Sequence, residues 1–199
     1  MSLWKKIDPL TLSSIGNLQP VDECFYAKDY LAGSGFHGGE VNSDILNFKK
    51  PPNAPGQNYR VQAINKFALE ASGLINCDSG RSYVVTAVPS SKVKTDPLYD
   101  NRFEDFFTQL KKFCPCIEVV WPVDAINTVT PSHQTSGMRN PNTIMQNYRY
   151  EGFSGSQPDR IIVFDDLLTS GAHFRAYKDF IIQSGFTGKV IGIFWAKSQ

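Results

Sequence analysis

At 199 residues, with a formal net charge of +1 and 20% charged residues, the chain suits one domain and can bury a substantial core. That balance leaves no basic footprint for nucleic acid and no acidic tail. No apolar run approaches the length of a membrane span, and the opening Met1-Ser2-Leu3-Trp4-Lys5-Lys6 lacks the apolar centre of a signal peptide, so a cytoplasmic protein is expected.

The first fifty or so residues are poorly periodic. Within them, 24–31 is rich in aromatics and reads as a strand or short edge element. Gly33-Ser34-Gly35-Phe36-His37-Gly38 then spells G-x-G-x-x-G. Dinucleotide binding through that pattern needs a buried strand before it and an amphipathic helix after it. Lys28 and Asp29 interrupt the first, and Asn42, Ser43 and Asp44 break up the second, so a flexible turn is expected. Residues 44–50 start a short helix, capped by Ser43 or Asp44 and stopped by Pro51-Pro52-Asn53-Ala54-Pro55-Gly56. Residues 1–57 thus read as an N-terminal extension to a core spanning 58–199.

From 58 to 74 the pattern is helical, with Val61, Ile64, Phe67, Ala68 and Ala71 on one face and Gly73 where a C-cap belongs. The β-branched run 82–88 predicts a buried parallel strand that ends in Pro89-Ser90-Ser91-Lys92. Residues 101–113 predict a helix whose stripe of Phe103, Phe106, Phe107, Leu110 and Phe113 belongs to the core, with Arg102 at its start. A strand is expected over 117–123. The segment 124–155 is long, polar and weakly periodic, which marks functional or mobile loops. Cys24, Cys77, Cys114 and Cys116 do not read as a disulfide framework and lack paired Cys-x-x-Cys spacing. Reduced thiols are expected, with Cys114-Pro115-Cys116 leaving a soft-metal or redox pair open.

The most informative stretch is 160–174. Ile161 to Phe164 read as a short buried strand that ends in Asp165 and Asp166, followed by Leu167, Leu168, Thr169, Ser170, Gly171 and a helix over 172–184. Phe174, Tyr177 and Ile181 face the sheet, Gly185 ends the helix, and 189–195 supplies a last strand. Strand and helix alternate, so the fold class is α/β with a mostly parallel sheet. Ligands of such sheets sit beyond the carboxyl ends of the strands, where Asp165 and Asp166 emerge. A helix start with small residues suits a phosphate. Carboxylates repel phosphate and suit ribose hydroxyls or Mg²⁺ instead. One turn therefore offers sites for a sugar diol and for its 5′-phosphate.

From Ile161 to Ala172 the sequence resembles the type I phosphoribosyltransferases, whose signature is four apolar residues, an acidic pair, two aliphatic residues, two Thr/Ser, Gly and a small residue. It departs at His173, where that family has a small hydroxyl residue. The resemblance implies an open, twisted, mostly parallel sheet flanked by helices, with 1–57 as a small hood. It implies binding of phosphoribosyl pyrophosphate, or of a nucleotide built on ribose 5-phosphate, and Mg²⁺-dependent transfer of the phosphoribosyl group to or from a nitrogenous base. Asp165 and Asp166 would hold the diol and meet Mg²⁺ indirectly or through the substrate. Thr169, Ser170, Gly171, Ala172 and His173 would hold the 5′-phosphate, and Ser90, Ser91 and Lys92, with Lys94 nearby, the pyrophosphate. A loop within 124–155 would close over the site and bring in Arg139 as a catalytic cation. Shorter matches resemble the ComF-like, competence-associated branch: Ile45-Leu46-Asn47-Phe48-Lys49, Val88-Pro89, and His133-Gln134, Arg139 and Asn147 in that order. The zinc knuckle of many members of that branch is missing. The alternative implied by non-catalytic members is a module that senses phosphoribosyl pyrophosphate or a nucleotide and acts through a protein partner. Aromatics in the N-terminal third leave a homodimer open.

Overall fold

The computed structural model describes residues 3–76, 82–129 and 140–199. Its centre is a five-stranded sheet in the order β1-β2-β7-β6-β3. These are β1 (Lys5–Lys6), β2 (Glu23–Tyr30), β3 (Tyr83–Ala87), β6 (Arg160–Leu168) and β7 (Lys189–Ser198). Only β1 runs antiparallel to its neighbour, so β2, β7, β6 and β3 all present their carboxyl ends at one edge. A separate antiparallel pair joins β4 (Val123–Ala125) to β5 (Tyr148–Tyr150).

Strand alternation sorts the core into two layers. On β6, Phe164 packs into a cluster with Phe48, Phe67, Phe106 and Trp195, beneath α2 (Glu40–Phe48), α3 (Gln57–Ser72) and α4 (Arg102–Phe113). Phe67 stacks on Trp195 at 4.7 Å with their planes 4° apart. Ile161 and Val163 pack on the opposite face with Leu12 of α1 (Pro9–Ser14) and Phe174, Tyr177 and Ile181 of α6 (Ala172–Gln183). A short helix, α5 (Pro141–Met145), starts with Asn140 as its cap. Among the described residues no helix is long and apolar enough to cross a membrane.

Several expectations are corrected. The strand expected before the glycine-rich turn forms as β2, but the helix after it starts at Glu40, four residues earlier than expected, as α2. Asn42, expected to break the helix, is fully buried and fastens the turn. Its Oδ1 accepts from the Leu31 amide at 3.0 Å, and its Nδ2 donates to the Leu31 and Gly35 carbonyls at 2.9 and 3.0 Å. Residues 1–57, read as an N-terminal extension, supply two strands of the central sheet, β1 and β2. The expected strand over 117–123 reduces to a single parallel bridge, Val119 to Val85, because Pro122 has no N–H with which to continue a ladder. Strand β6 runs four residues further than expected, through the acidic pair to Leu168, carried by pairing with the long β7. Finally, Cys116 is disulfide-bonded, so Cys114-Pro115-Cys116 is not a free dithiol; Cys24 and Cys114 are buried free thiols. Spacing alone does not show which cysteines a fold brings within bonding distance. Cys77 lies outside the described residues.

Candidate functional site

Because β3 and β6 are parallel neighbours, with Ala87 opposite Phe164, the segments that leave them emerge side by side. They form the walls of a cleft of about 920 Å³ at the carboxyl edge. Ser90, Ser91 and Lys92 line it from β3; Asp165, Asp166, Thr169, Ser170, Gly171, Ala172 and His173 line it from β6. The site residues expected from sequence are therefore brought to one cleft, apart from Lys94 and from Arg139, which lies outside the described residues, as do His133 and Gln134. Lys94 goes elsewhere: its Nζ lies 5.5 Å over the Trp121 ring and 3.8 Å from Asp124.

The turn after β6 is short because the strand is long. Thr169, Ser170 and Gly171 connect Leu168 directly to α6. Gly171 is the N-cap of that helix at φ +72°, in the left-handed region where a side chain is strained. An added Cβ would also lie 2.6 Å from Leu18, so both backbone and packing demand glycine. No side chain caps the first turn of α6, which leaves its positive end facing the cleft wall.

Consecutive strand residues point to opposite faces of a sheet, and the acidic pair obeys this rule. Asp166 turns toward the α2 and α4 face. There Lys49, just after α2, reaches its Oδ1 at 2.9 Å, and Arg102, the first residue of α4, reaches Oδ2 at 3.2 Å. Arg102 is steadied by Asp100 at 3.5 Å and lies 5.8 Å from the Phe48 ring centroid. Asp165 turns toward the α6 face, beside Tyr148. Its Oδ1 accepts from the Asp166 amide at 2.8 Å.

The two carboxyls ionise differently. Burial pushes Asp165 up, and the charge of Asp166 pushes it further, to about 7, against the weaker pull of Lys49 and Arg102. Burial also opposes ionisation of Asp166, but Lys49 and Arg102 outweigh it and hold that carboxyl below its usual value; His173 adds a smaller attraction. Near neutrality the pair is one fixed carboxylate and one that exchanges its proton.

No protein-family model matches this chain, and neither does any curated protein.

Arg102, whose place at a helix start near the pyrophosphate segment points to the ligand, does line the cleft. Two further cleft residues carry little signal in sequence: Lys49 belongs only to a short match, and no local pattern pairs it or Arg102 with an aspartate far along the chain. Tyr148 had no signal at all. It is 7% exposed and lines the cleft, and its hydroxyl has no hydrogen-bond partner among the described residues. Burial raises its phenol and the Asp165 charge raises it further, so it stays a proton donor. Asn147 lines the cleft as well, and its side chain accepts from the Asn127 amide at 2.9 Å and donates to the Asn127 carbonyl at 2.8 Å.

The donors do not build a direct metal site. Both oxygens of Asp166 are engaged by cations, and among the described residues no group of three or more His, Cys, Asp or Glu is placed to hold an ion.

Proposed function

We propose that the cleft binds a phosphoribosyl ligand, phosphoribosyl pyrophosphate or a nucleotide built on ribose 5-phosphate, and that the protein transfers the phosphoribosyl group to or from a nitrogenous base. The observation that carries this reading is the convergence, from adjacent strands, of an uncapped helix start, a half-buried carboxyl whose pKa is raised and a Ser-Ser-Lys segment on one cleft. The 5′-phosphate would sit against Thr169 to His173, where amide dipoles and hydroxyls meet its charge. Asp165 would accept from a ribose hydroxyl and, once ionised, stabilise the positive charge that grows on the sugar as the leaving group departs. Ser90, Ser91 and Lys92 would receive that leaving group, with Lys49 and Arg102 contributing positive field from across the cleft. Tyr148 would donate its unsatisfied hydroxyl to the ligand. Mg²⁺ enters this proposal only as an ion carried on the ligand's own pyrophosphate oxygens. The fold belongs with this reading as a type I phosphoribosyltransferase-like sheet, of the ComF-like branch, in a cytoplasmic protein.

One observation favours a second reading, a sensor that binds the ligand and leaves it intact. Asp166 is occupied by Lys49 and Arg102, so a ribose diol meets one free carboxyl rather than two. Calorimetric titration of phosphoribosyl pyrophosphate, with and without Mg²⁺, into the wild type and Asp165→Asn separates the cases. We expect micromolar binding, about −8 kcal/mol, weakened at least tenfold in the variant. Consumption of the ligand when bases are supplied establishes the enzyme; binding with no turnover establishes the sensor. Absence of binding to the wild type rejects both.

A further inference from the structure

The turn proposed to hold the phosphate does not stand alone; it is fastened from behind by the N-terminal segment. The backbone amide of Asn17 and its side-chain Nδ2 both donate to the Ser170 carbonyl, each at 3.0 Å. Leu18 lies against Gly171, so closely that no Cβ fits between them. The carbonyl of Asn17 in turn accepts from Arg175 Nε at 3.0 Å, and Arg175 is paired to buried Asp22, which Lys178 also reaches at 2.7 Å. Segment 17–22 is thus bolted to α6 at one end and to the turn at the other.

This fastening fixes the orientation of one peptide. Ser170 and Gly171 line the cleft, whereas Asn17 and Leu18 do not. The Ser170 carbonyl is therefore drawn away from the cleft. No peptide bond in the described chain is cis, and in a trans peptide the C=O and the following N–H point in opposite directions. With the Ser170 oxygen held by Asn17, the Gly171 N–H faces the cleft. A glycine at φ +72° can undergo a peptide flip with little steric resistance, and a flipped peptide would present an oxygen to the phosphate in place of a donor.

The geometry points to Asn17 as the positioning residue of the phosphate cradle: by clamping the Ser170 carbonyl it keeps the Gly171 amide aimed at a phosphate monoester. This inference rests on the phosphate reading of the cleft. It gives residues 1–57 a role at the site through their contact with the turn.

The test compares a ligand that carries the phosphate monoester with one that does not need this turn. Ribose 5-phosphate and inorganic pyrophosphate are each titrated by calorimetry into the wild type, Asn17→Ala and Asn17→Asp, and thermal melting of each variant is recorded. Asn17→Ala is expected to weaken ribose 5-phosphate about tenfold and leave pyrophosphate within twofold. Asn17→Asp should be worse than alanine, because a carboxylate cannot donate to the carbonyl and adds negative charge behind the turn. Amide nitrogen and proton shifts of Gly171 should move in both variants. Equal affinity of wild type and folded Asn17→Ala for ribose 5-phosphate overturns the inference. Parallel weakening of both ligands, tracking the loss in melting temperature, overturns it too, because that is what a merely structural role produces. If the wild type takes up pyrophosphate but not ribose 5-phosphate, the phosphate assignment of the turn fails, and Asn17 as its positioning residue fails with it.

Discussion

Two buried aspartates, one on each side of the turn after β6, are each held by two cations, yet they do different things. Asp22 has no exposed side-chain surface; Arg175, Lys178 and the Gln19 amide, at 2.7 Å, satisfy it. Asp166 is almost as buried, but its cations Lys49 and Arg102 are 29% and 23% exposed, line the cleft, and share it with a second carboxyl one residue away. The first arrangement is closed and saturated. The second has cations that reach solvent and a neighbour that keeps its proton up to about pH 7. Buried charge alone therefore does not mark a site; buried charge with solvent-reaching partners and a second carboxyl beside it does.

Breaking the closed cluster should have the largest effect on stability. Asp22→Ala leaves Arg175 with only the partly exposed Asp179, at 3.1 Å, and Lys178 with no carboxylate, which costs about 3 kcal/mol, the low end for a broken buried pair. Chemical denaturation should read that loss, with an unchanged dependence on denaturant. A loss below about 1 kcal/mol would mean that the cations reach water and that the two clusters are alike.

Breaking the open cluster should cost less. In Asp166→Asn, Arg102 keeps Asp100 and Lys49 can swing into the cleft, so about 1–3 kcal/mol is expected. The sharper readout is ionisation. With its negative neighbour gone and two cations still close, Asp165 should titrate well below 7, visible in the carboxyl carbon shifts of a labelled sample. An unmoved titration would show that burial alone, and not Asp166, sets the behaviour of Asp165.

The difference between the clusters also explains what the sequence could and could not say. The helices 58–74 and 101–113 and the strands 82–88 and 189–195 were legible because local periodicity and β-branched runs record which face is buried. The turn was legible because Asp165, Asp166, Thr169, Ser170 and Gly171 are contiguous. The partners were not. Lys49 lies more than a hundred residues before Asp166, and Asn17 about as far before Ser170; such contacts are created by sheet order, which no local pattern encodes. The length of β6 was misjudged for a related reason: carboxylates are poor strand formers on their own, and only pairing to β7 carries the strand through them. Asn42 was misread because a polar residue in a helix was taken as a break, whereas burial made it the clamp of the preceding turn.

The smallest effect is expected at Asp165, and it should have the opposite sign. Its folded-state value near 7 lies above the ordinary 3.8, so the folded protein binds the proton more tightly than the unfolded chain does. Stability from this group is full below about 4 and is lost as pH rises through 7. Asp165→Asn removes that slope. The variant should match the wild type near pH 4 and exceed it at pH 8 by on the order of 1–2 kcal/mol, after discounting for its coupling to Asp166. Ligand binding should run the other way: a ribose hydroxyl donates best to the ionised carboxyl, so affinity of the wild type rises more steeply through pH 7 than that of the variant, which keeps only the titration of the ligand's own phosphate. A stability gain without this change in the pH profile of binding would make Asp165 a strained structural group; the two together would mark it as a carboxyl kept at a cost in stability for the sake of its ligand.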